Sequence, residues 1–438
     1  MTTTDLAAKT PTMSARQARR AVTSSFVGTA IEWYDFFIYG TAAALVIGPQ
    51  FFPASSSLAS TLAAFATFAV GFVARPIGGV VMGHFGDRIG RKSMLVLSLT
   101  MMGLATVGIG LLPNYDAIGV LAPILLVVFR FAQGIGVGGE WGGAVLMATE
   151  NAPPGKRGLY DAAPQIGVPA GVLAANLVFL LITQVLDDES FQSWGWRVPF
   201  LLSAVLVGIA MWIRLGVLES PEFRQVKQEE RVAKLPIVEV LTKNLRYVLL
   251  AAGTFIATNG IAYAFMVYVL TYGTEELGFE RSTMLWLLIV SCPVWMAGMA
   301  LAAAKSDVLG RRRVYTWSSL ALLVVAALFF PLIDTASLPV MLVAMAVMAA
   351  VLGTTAGPQS ALFAELFPAH IRYSGASLGY QIGAILGGGL APFISTSLFA
   401  AFGTSWAITG YFVVIAAISL GSVLALPETR RVSTEGEH

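Results

Sequence analysis

Long apolar stretches separated by short polar ones fill this chain from about residue 22 to residue 426. Apolar windows of roughly 20 residues, the length that crosses a bilayer core as one helix, recur at 22–48, 58–82, 93–112, 120–148, 162–186, 197–218, 246–272, 283–304, 314–333, 338–363, 376–401 and 406–426. The pattern predicts an all-α membrane protein with twelve transmembrane helices. The first window is not read as a cleavable leader. From Ala21 to Gly48 it is too long for an h-region, and it carries Glu32 and Asp35 in its interior.

The polar segments between the windows fix an expected orientation. With both termini cytoplasmic, 22 of the 27 Lys and Arg fall in inner segments, while only Arg197 and Arg281 fall in outer loops. Arg75, Arg130 and Arg214 lie within spans. Such a bias is the positive-inside pattern. The expected organisation is a cytoplasmic tail at 1–21, a six-helix bundle at 22–218, a cytoplasmic linker at 219–245, a second six-helix bundle at 246–426 and a polar tail at 427–438. The linker mixes both signs of charge, as in Glu230 and Lys234 four residues apart, which suits a solvated or interfacial helix pair.

Composition agrees with the pattern: 56% of residues are hydrophobic and 12% charged, against about 25% charged in soluble domains. The net charge of +2 gives no reason to expect nucleic acid as a partner. The one cysteine, Cys292, excludes an internal disulfide and a thiolate metal cluster.

The two halves repeat each other. GDRIGRK at Gly86–Lys92 returns as SDVLGRR at Ser306–Arg312, so Asp87 and Asp307 are 220 residues apart. Glu150 and Arg157 return as Glu365 and Arg372, and Gln165-Ile166-Gly167 returns as Gln381-Ile382-Gly383. Parallel repeats of six spans place a substrate site between the halves near the midplane.

The fourth window, VLAPILLVVFRFAQGIGVGGEWGGAVLMA at Val120–Ala148, sets the chemistry. An arginine at its middle, Arg130, costs roughly 2.5–3.5 kcal/mol on insertion scales, so it is expected to turn inward and to be paired. Glycines 134, 136, 138, 139, 142 and 143 let another helix or a ligand approach the backbone. Glu32 and Asp35, three apart in the first window, share one helix face. Asp35 is the expected partner of Arg130, with Glu32 the substitute. A carboxyl raised by desolvation and lowered by a guanidinium can take up and release a proton as the pair parts and rejoins. A static ion pair that only fixes packing is the alternative. Glu140 lies roughly 15 Å along the same helix from Arg130, so the two cannot pair; it is a further proton-handling candidate or a structural one.

Gly83–Lys92 (GHFGDRIGRK) suits a tight reversal between antiparallel helices, with Asp87 near a helix N-terminus. Its second copy, together with the Glu150/Arg157 and Glu365/Arg372 pairs, suggests a cytoplasmic charge latch between bundles. Its expected members are Gly83, Asp87, Arg88, Arg91, Glu150, Arg157, Asp307, Arg311, Glu365 and Arg372. Substrate contacts are expected from Arg130, Gln133, Tyr34, Gln165, Asn259, Tyr263 and Gln381, although singly such polar groups more often make interhelical hydrogen bonds. Two motif matches carry nothing. GIGVGG at Gly134–Gly139 lies inside a membrane helix without a preceding strand, and GASLG at Gly375–Gly379 lacks the strand–turn–helix of a nucleophile elbow. His84, His370 and His438 form no metal-binding or catalytic pattern. No enzyme chemistry is expected.

GHFGDRIGRK with its degenerate second copy resembles the signature of the major facilitator superfamily. EWYDFFIYG at Glu32–Gly40, GFVARPIGG at Gly71–Gly79, RFAQGIGVGGEWGGA at Arg130–Ala144 and LESPEF at Leu218–Phe223 are similar to its metabolite:proton symporter branch. The resemblance covers nearly the whole chain. It implies a bacterial inner-membrane carrier of a small organic acid or zwitterion together with protons. By the same resemblance Asp35 and Arg130 match the proton-coupling acid and arginine, and Asp87, Arg88, Arg91, Glu150 and Arg157 match the gating network. Two departures count. Val308 stands where the first signature has Arg88, implying a weaker latch in the second half, and the tail carries no coiled coil of the osmosensing proline/betaine type.

The reading is a proton-driven importer: with Arg130 taken as the one central cation, a monocarboxylate suits better than a citrate-like trianion, and a shikimate-like monocarboxylate is expected. Uptake of a zwitterion or a dicarboxylate is the alternative within transport, and a non-transporting membrane sensor the alternative outside it. No cofactor is expected, the proton gradient being the energy source, and the protein is expected to work as a monomer.

Overall fold

The structure, a computed structural model, describes residues 15–53, 56–89, 91–138, 157–215, 236–368 and 371–429. Among these, eleven helical stretches are long and apolar enough to cross a membrane, and Val96–Leu111 is a shorter apolar helix that supplies the twelfth. The spanning helices are α1 (Ala15–Ala42), α2 (Ser57–Ile89), α3 (Arg91–Leu111), α4 (Leu121–Gly138), α5 (Arg157–Val185) and α6 (Val198–Leu215) in the first half. The second half has α7 (Leu245–Tyr263), α8 (Arg281–Leu309), α9 (Arg311–Ile333), α10 (Leu338–Ala356), α11 (Arg372–Ala384) and α12 (Ser405–Ala425). A short helix at Pro236–Lys243 precedes α7, inside the segment expected to be linker, and α1 begins before the expected end of the first tail.

Packing repeats between the halves as the sequence does. In the first half α1 lies on α5 and α2 on α4; in the second α7 lies on α11 and α8 on α10. These pairs approach closely because their contact faces carry glycine. A Cβ on Gly171 would come 2.6 Å from the carbonyl oxygen of Ala30, and one on Gly298 would come 2.6 Å from that of Ala350. In an apolar solvent, where burying more hydrocarbon gives little driving force between helices, such backbone proximity is what holds a bundle.

The halves meet along two seams, α5 with α8 and α2 with α11. The first and seventh spans are innermost, with 94% and 83% of their apolar windows buried, against 33–56% for the others. Both are interrupted near the inter-half contact by π-helical turns, Ala43–Ile47 after α1 and Ala264–Tyr268 after α7, and these turns touch each other. A third, Ile385–Gly389, follows α11 and packs against α2. π-turns inside α-helices mark places where the helix gives up regularity for function. Lipid-facing positions carry exposed apolar side chains such as Leu104, Val185 and Trp212.

Candidate functional site

Arg130 on α4 is fully buried, as its position in the fourth window requires. Its Nη1 donates to Gln133 Oε1 one turn on, its Nη2 to the carbonyl of Phe68 at 3.1 Å, and its Nε to that of Thr67 at 3.5 Å. The guanidinium carbon sits 4.0 Å from the ring centre of Tyr39 and 4.9 Å from that of Phe36. Backbone carbonyls and aromatic faces thus carry the charge that a carboxylate was expected to carry.

Asp35 is equally buried, yet neither carboxyl oxygen has a hydrogen-bond partner. The expected Asp35–Arg130 ion pair is therefore not formed. The donors of Arg130 are instead taken by Gln133 Oε1 and the carbonyls of Thr67 and Phe68, with the rings of Tyr39 and Phe36 from α1 against its guanidinium. The Ser203 hydroxyl of α6 lies beside the Asp35 carboxyl and also reaches the carbonyl of Pro199 at 3.5 Å. Gln133 joins the two helices instead. Its Nε2 donates to the backbone carbonyl of Asp35 at 3.0 Å and to Thr106 Oγ1 at 2.9 Å. Glu32 is also buried and lies one turn before Phe36.

Of the other residues expected to meet substrate, Tyr34 turns away from the centre. Its hydroxyl donates to the carbonyl of Pro199 at 2.9 Å, which makes it a packing residue between α1 and α6. Asn259 donates to the carbonyl of Ala384 at 3.2 Å and ties α7 to α11 within one half. Gln165 and Gln381, one from each repeat, both cross between the halves. Gln165 Nε2 donates to Ser360 Oγ at 3.1 Å, and Gln381 Nε2 to the carbonyl of Gly138 at 3.4 Å. Tyr263 from α7 lies among rings of the first half: Phe72 at 4.9 Å, Phe37 at 5.3 Å and Phe68 at 5.7 Å between centroids.

The sequence reading passed over one residue. Arg75 on α2 is 1% exposed, so Arg130 is not the only central cation. Its guanidinium carbon is 4.2 Å from the ring centre of Phe72, 4.4 Å from that of Phe36 and 5.3 Å from that of Trp33. Its place inside the second apolar window was the available signal, since an intramembrane cation is a functional candidate by default.

The expected latch has two parts. Glu140 and Glu150 lie outside the described residues, and at Gly83, Asp87, Arg88, Arg91, Arg157 and Arg372 only the helical backbone is described. In the second half, Arg311 bridges Asp307 at 2.7 Å and Glu365 at 3.4 Å, and donates to Ser306 Oγ at 2.6 Å. Glu428 Oε1 accepts from the backbone N–H of Arg311 at 3.0 Å and from that of Arg312 at 3.4 Å, where the free amides of a helix start favour an anion. Thr429 donates to Glu365 Oε2 at 2.7 Å. Among the described residues these partners belong to the second half and the tail that follows it, where they form a clasp. It is built without a cation at 308, where exposed Val308 stands. Among the described residues no group of three or more metal-binding side chains occurs.

Two six-helix halves in parallel repeat, with charged groups buried near their junction, are the architecture of a membrane transporter. The Major Facilitator Superfamily model matches residues 25–378, and the chain belongs to that family. It is 44% identical to an inner membrane metabolite transport protein of Escherichia coli K12, YhjE, over 94% of this chain and 95% of that one. It is 40% identical to the shikimate transporter of the same strain, over 96% and 97%. A proline/betaine transporter of that strain is 32% identical, over 95% and 85%. A crystal structure of a D-xylose-proton symporter matches with a TM-score of 0.73 at 19% identity, over 94% of this chain and 98% of that one. These relatives are transporters, and this chain is a transporter and not an enzyme.

Proposed function

We propose that this protein imports a small organic acid together with protons, a shikimate-like monocarboxylate being the substrate class, by alternating exposure of a site between its halves. The observation that carries the reading is the state of Asp35, a buried carboxyl whose two oxygens lack any hydrogen-bond partner while Arg130, the nearest expected cation, is satisfied elsewhere. Leaving an ionised carboxylate unpaired in such surroundings costs far more than leaving a carboxyl that carries its proton. Movement of α1 against α4 or α6 changes those surroundings, which links proton binding to helix movement. The 40% identity to a shikimate transporter supports the substrate class. The proton gradient is the energy source, with no cofactor.

The same reading puts the protein in a bacterial inner membrane as a monomer, with both termini cytoplasmic. It treats residues 22–218 and 246–426 as the two moving bundles. A zwitterionic substrate of the proline/betaine kind is the second reading, favoured by the rings of Trp33, Phe36 and Phe72, which suit a quaternary ammonium. The Arg75 guanidinium already occupies those ring faces, which favours an anion.

The test is uptake of radiolabelled shikimate, lactate, α-ketoglutarate and betaine into membrane vesicles, with and without an inward proton gradient. Accumulation of a monocarboxylate only when the gradient is present is the expected result. Betaine uptake alone, or uptake indifferent to the gradient, overturns the reading.

A further inference from the structure

Two arginines are buried in the first half, and their surroundings differ in kind. Arg130 has Nη1, Nη2 and Nε all directed to oxygen acceptors of its own half. Arg75 has neither Nε nor Nη2 satisfied. Its ring contacts with Phe72, Phe36 and Trp33 take up the faces of the guanidinium and leave its N–H edge unused. The two free donors are neighbours on one edge. Together Nε–H and Nη2–H form the parallel pair that grips a carboxylate through both of its oxygens.

Two further polar groups lie in the opposite half where it meets α2. The hydroxyl of Tyr263, a residue 2% exposed, lies beside the Arg75 guanidinium without forming a well-aligned hydrogen bond, and its ring packs 4.9 Å from that of Phe72, against which Arg75 is stacked. Gln381 Oε1 is likewise without a partner, while its amide reaches the carbonyl of Gly138, whose Cα lies against the backbone carbonyl of Arg75. A guanidinium edge, a phenol and an amide oxygen left open in a water-poor interior are costly unless something else completes them. A carboxylate accepts from the first two, and a hydroxyl on the same molecule donates to the third.

Building on the organic-acid reading above, we propose that Arg75, and not Arg130, holds the carboxylate of the transported acid, with Tyr263 reaching it from the second half. The ligand class is a small monocarboxylate bearing at least one hydroxyl. The bound acid bridges α2 and α7 at the junction, where Tyr263 already packs on Phe72. Tyr263 stands immediately before the π-turn Ala264–Tyr268, and Gly388 of the π-turn on α11 packs against its ring, so the elements flanking the ligand are those whose helical regularity is already interrupted. Arg130 then serves as a positioning residue that holds α2 to α4 through the carbonyls of Thr67 and Phe68.

The test is equilibrium binding to the purified full-length protein in detergent, where no proton gradient contributes. The probes are shikimate and lactate, each beside its methyl ester. Wild type is expected to prefer the acid over the ester by roughly 10- to 100-fold, the range of a lost charge-assisted pair. Arg75→Gln should bring that ratio close to one. Arg75→Lys should keep a preference at weaker affinity, and Tyr263→Phe should weaken acid binding more than ester binding. Monodispersity on size exclusion separates folding from binding. If Arg75→Gln does not fold, Arg75→Lys with wild-type affinity and ratio overturns the proposal. An unchanged acid-to-ester ratio in folded Arg75→Gln also overturns it while leaving the transport reading intact. Wild type that binds neither acid sinks both, and the two failures are thereby distinct.

Discussion

Gln133 donates to the backbone carbonyl of Asp35 at 3.0 Å, so α4 holds the main chain of α1 at the residue whose side chain it leaves alone. The same amide accepts, through Oε1, from Arg130. One side chain therefore fixes the acid and the cation in register without letting them neutralise each other. A direct ion pair would have anchored the helices by charge and made their separation expensive. A neutral amide keeps the register and leaves the carboxyl to change its protonation state.

Asp35→Asn removes the proton and keeps the size of the side chain. Gradient-driven accumulation of the acid in vesicles should fall to the equilibration level, while exchange of labelled for unlabelled substrate across the membrane persists. Accumulation at the wild-type level by this variant would refute the coupling role of Asp35.

Gln133→Leu should strip a partner from Arg130, from the Asp35 carbonyl and from Thr106 at once. Each buried polar group left open costs about 1–3 kcal/mol. The apparent melting temperature in detergent should drop and uptake should fall by at least an order of magnitude. Gln133→Glu, which still accepts from Arg130, should lose less stability than the leucine variant. Equal melting temperatures for wild type and Gln133→Leu would show that the bridge is dispensable.

Gly71→Ala probes the seat of Arg130 directly, because a Cβ there would come 2.6 Å from Nη2 and 3.1 Å from the guanidinium carbon. Arg130 has to leave the carbonyls of Thr67 and Phe68 to make room. Uptake should be strongly reduced, whereas Gly208→Ala on α6, where nothing lies within 4 Å of the added carbon, should leave it unchanged. Wild-type uptake by Gly71→Ala would mean that the guanidinium moves without functional cost.

Glu365→Gln and Arg311→Gln test the clasp of the second half. Arg311 and Asp307 are nearly buried, and breaking a buried pair by removing one partner costs roughly 3–5 kcal/mol. Arg311→Gln should therefore lower the melting temperature most. Glu365→Gln, whose partner keeps Asp307, should lower it less. The reverse order would place the main anchor of the clasp at Glu365.

The spans, their number and the repeat of the halves were legible in the chain, because apolar length and duplicated motifs are local properties that a bilayer reads one segment at a time. The same holds for Arg130 and Asp35 as buried groups, since a charge within an apolar window is visible without any partner. Partnership was not legible. Whether Asp35 meets Arg130 depends on how α1 packs against α4, and in the fold the guanidinium's donors go to Gln133 and to the carbonyls of Thr67 and Phe68. The Tyr34 hydroxyl likewise finds its partner on another helix, the carbonyl of Pro199 on α6. Arg75 became a site only when folding brought Tyr263, 188 positions away along the chain, against the ring on which its guanidinium is stacked. Sequence decides which groups are taken out of water; the mutual rotation of packed helices decides which of them meet.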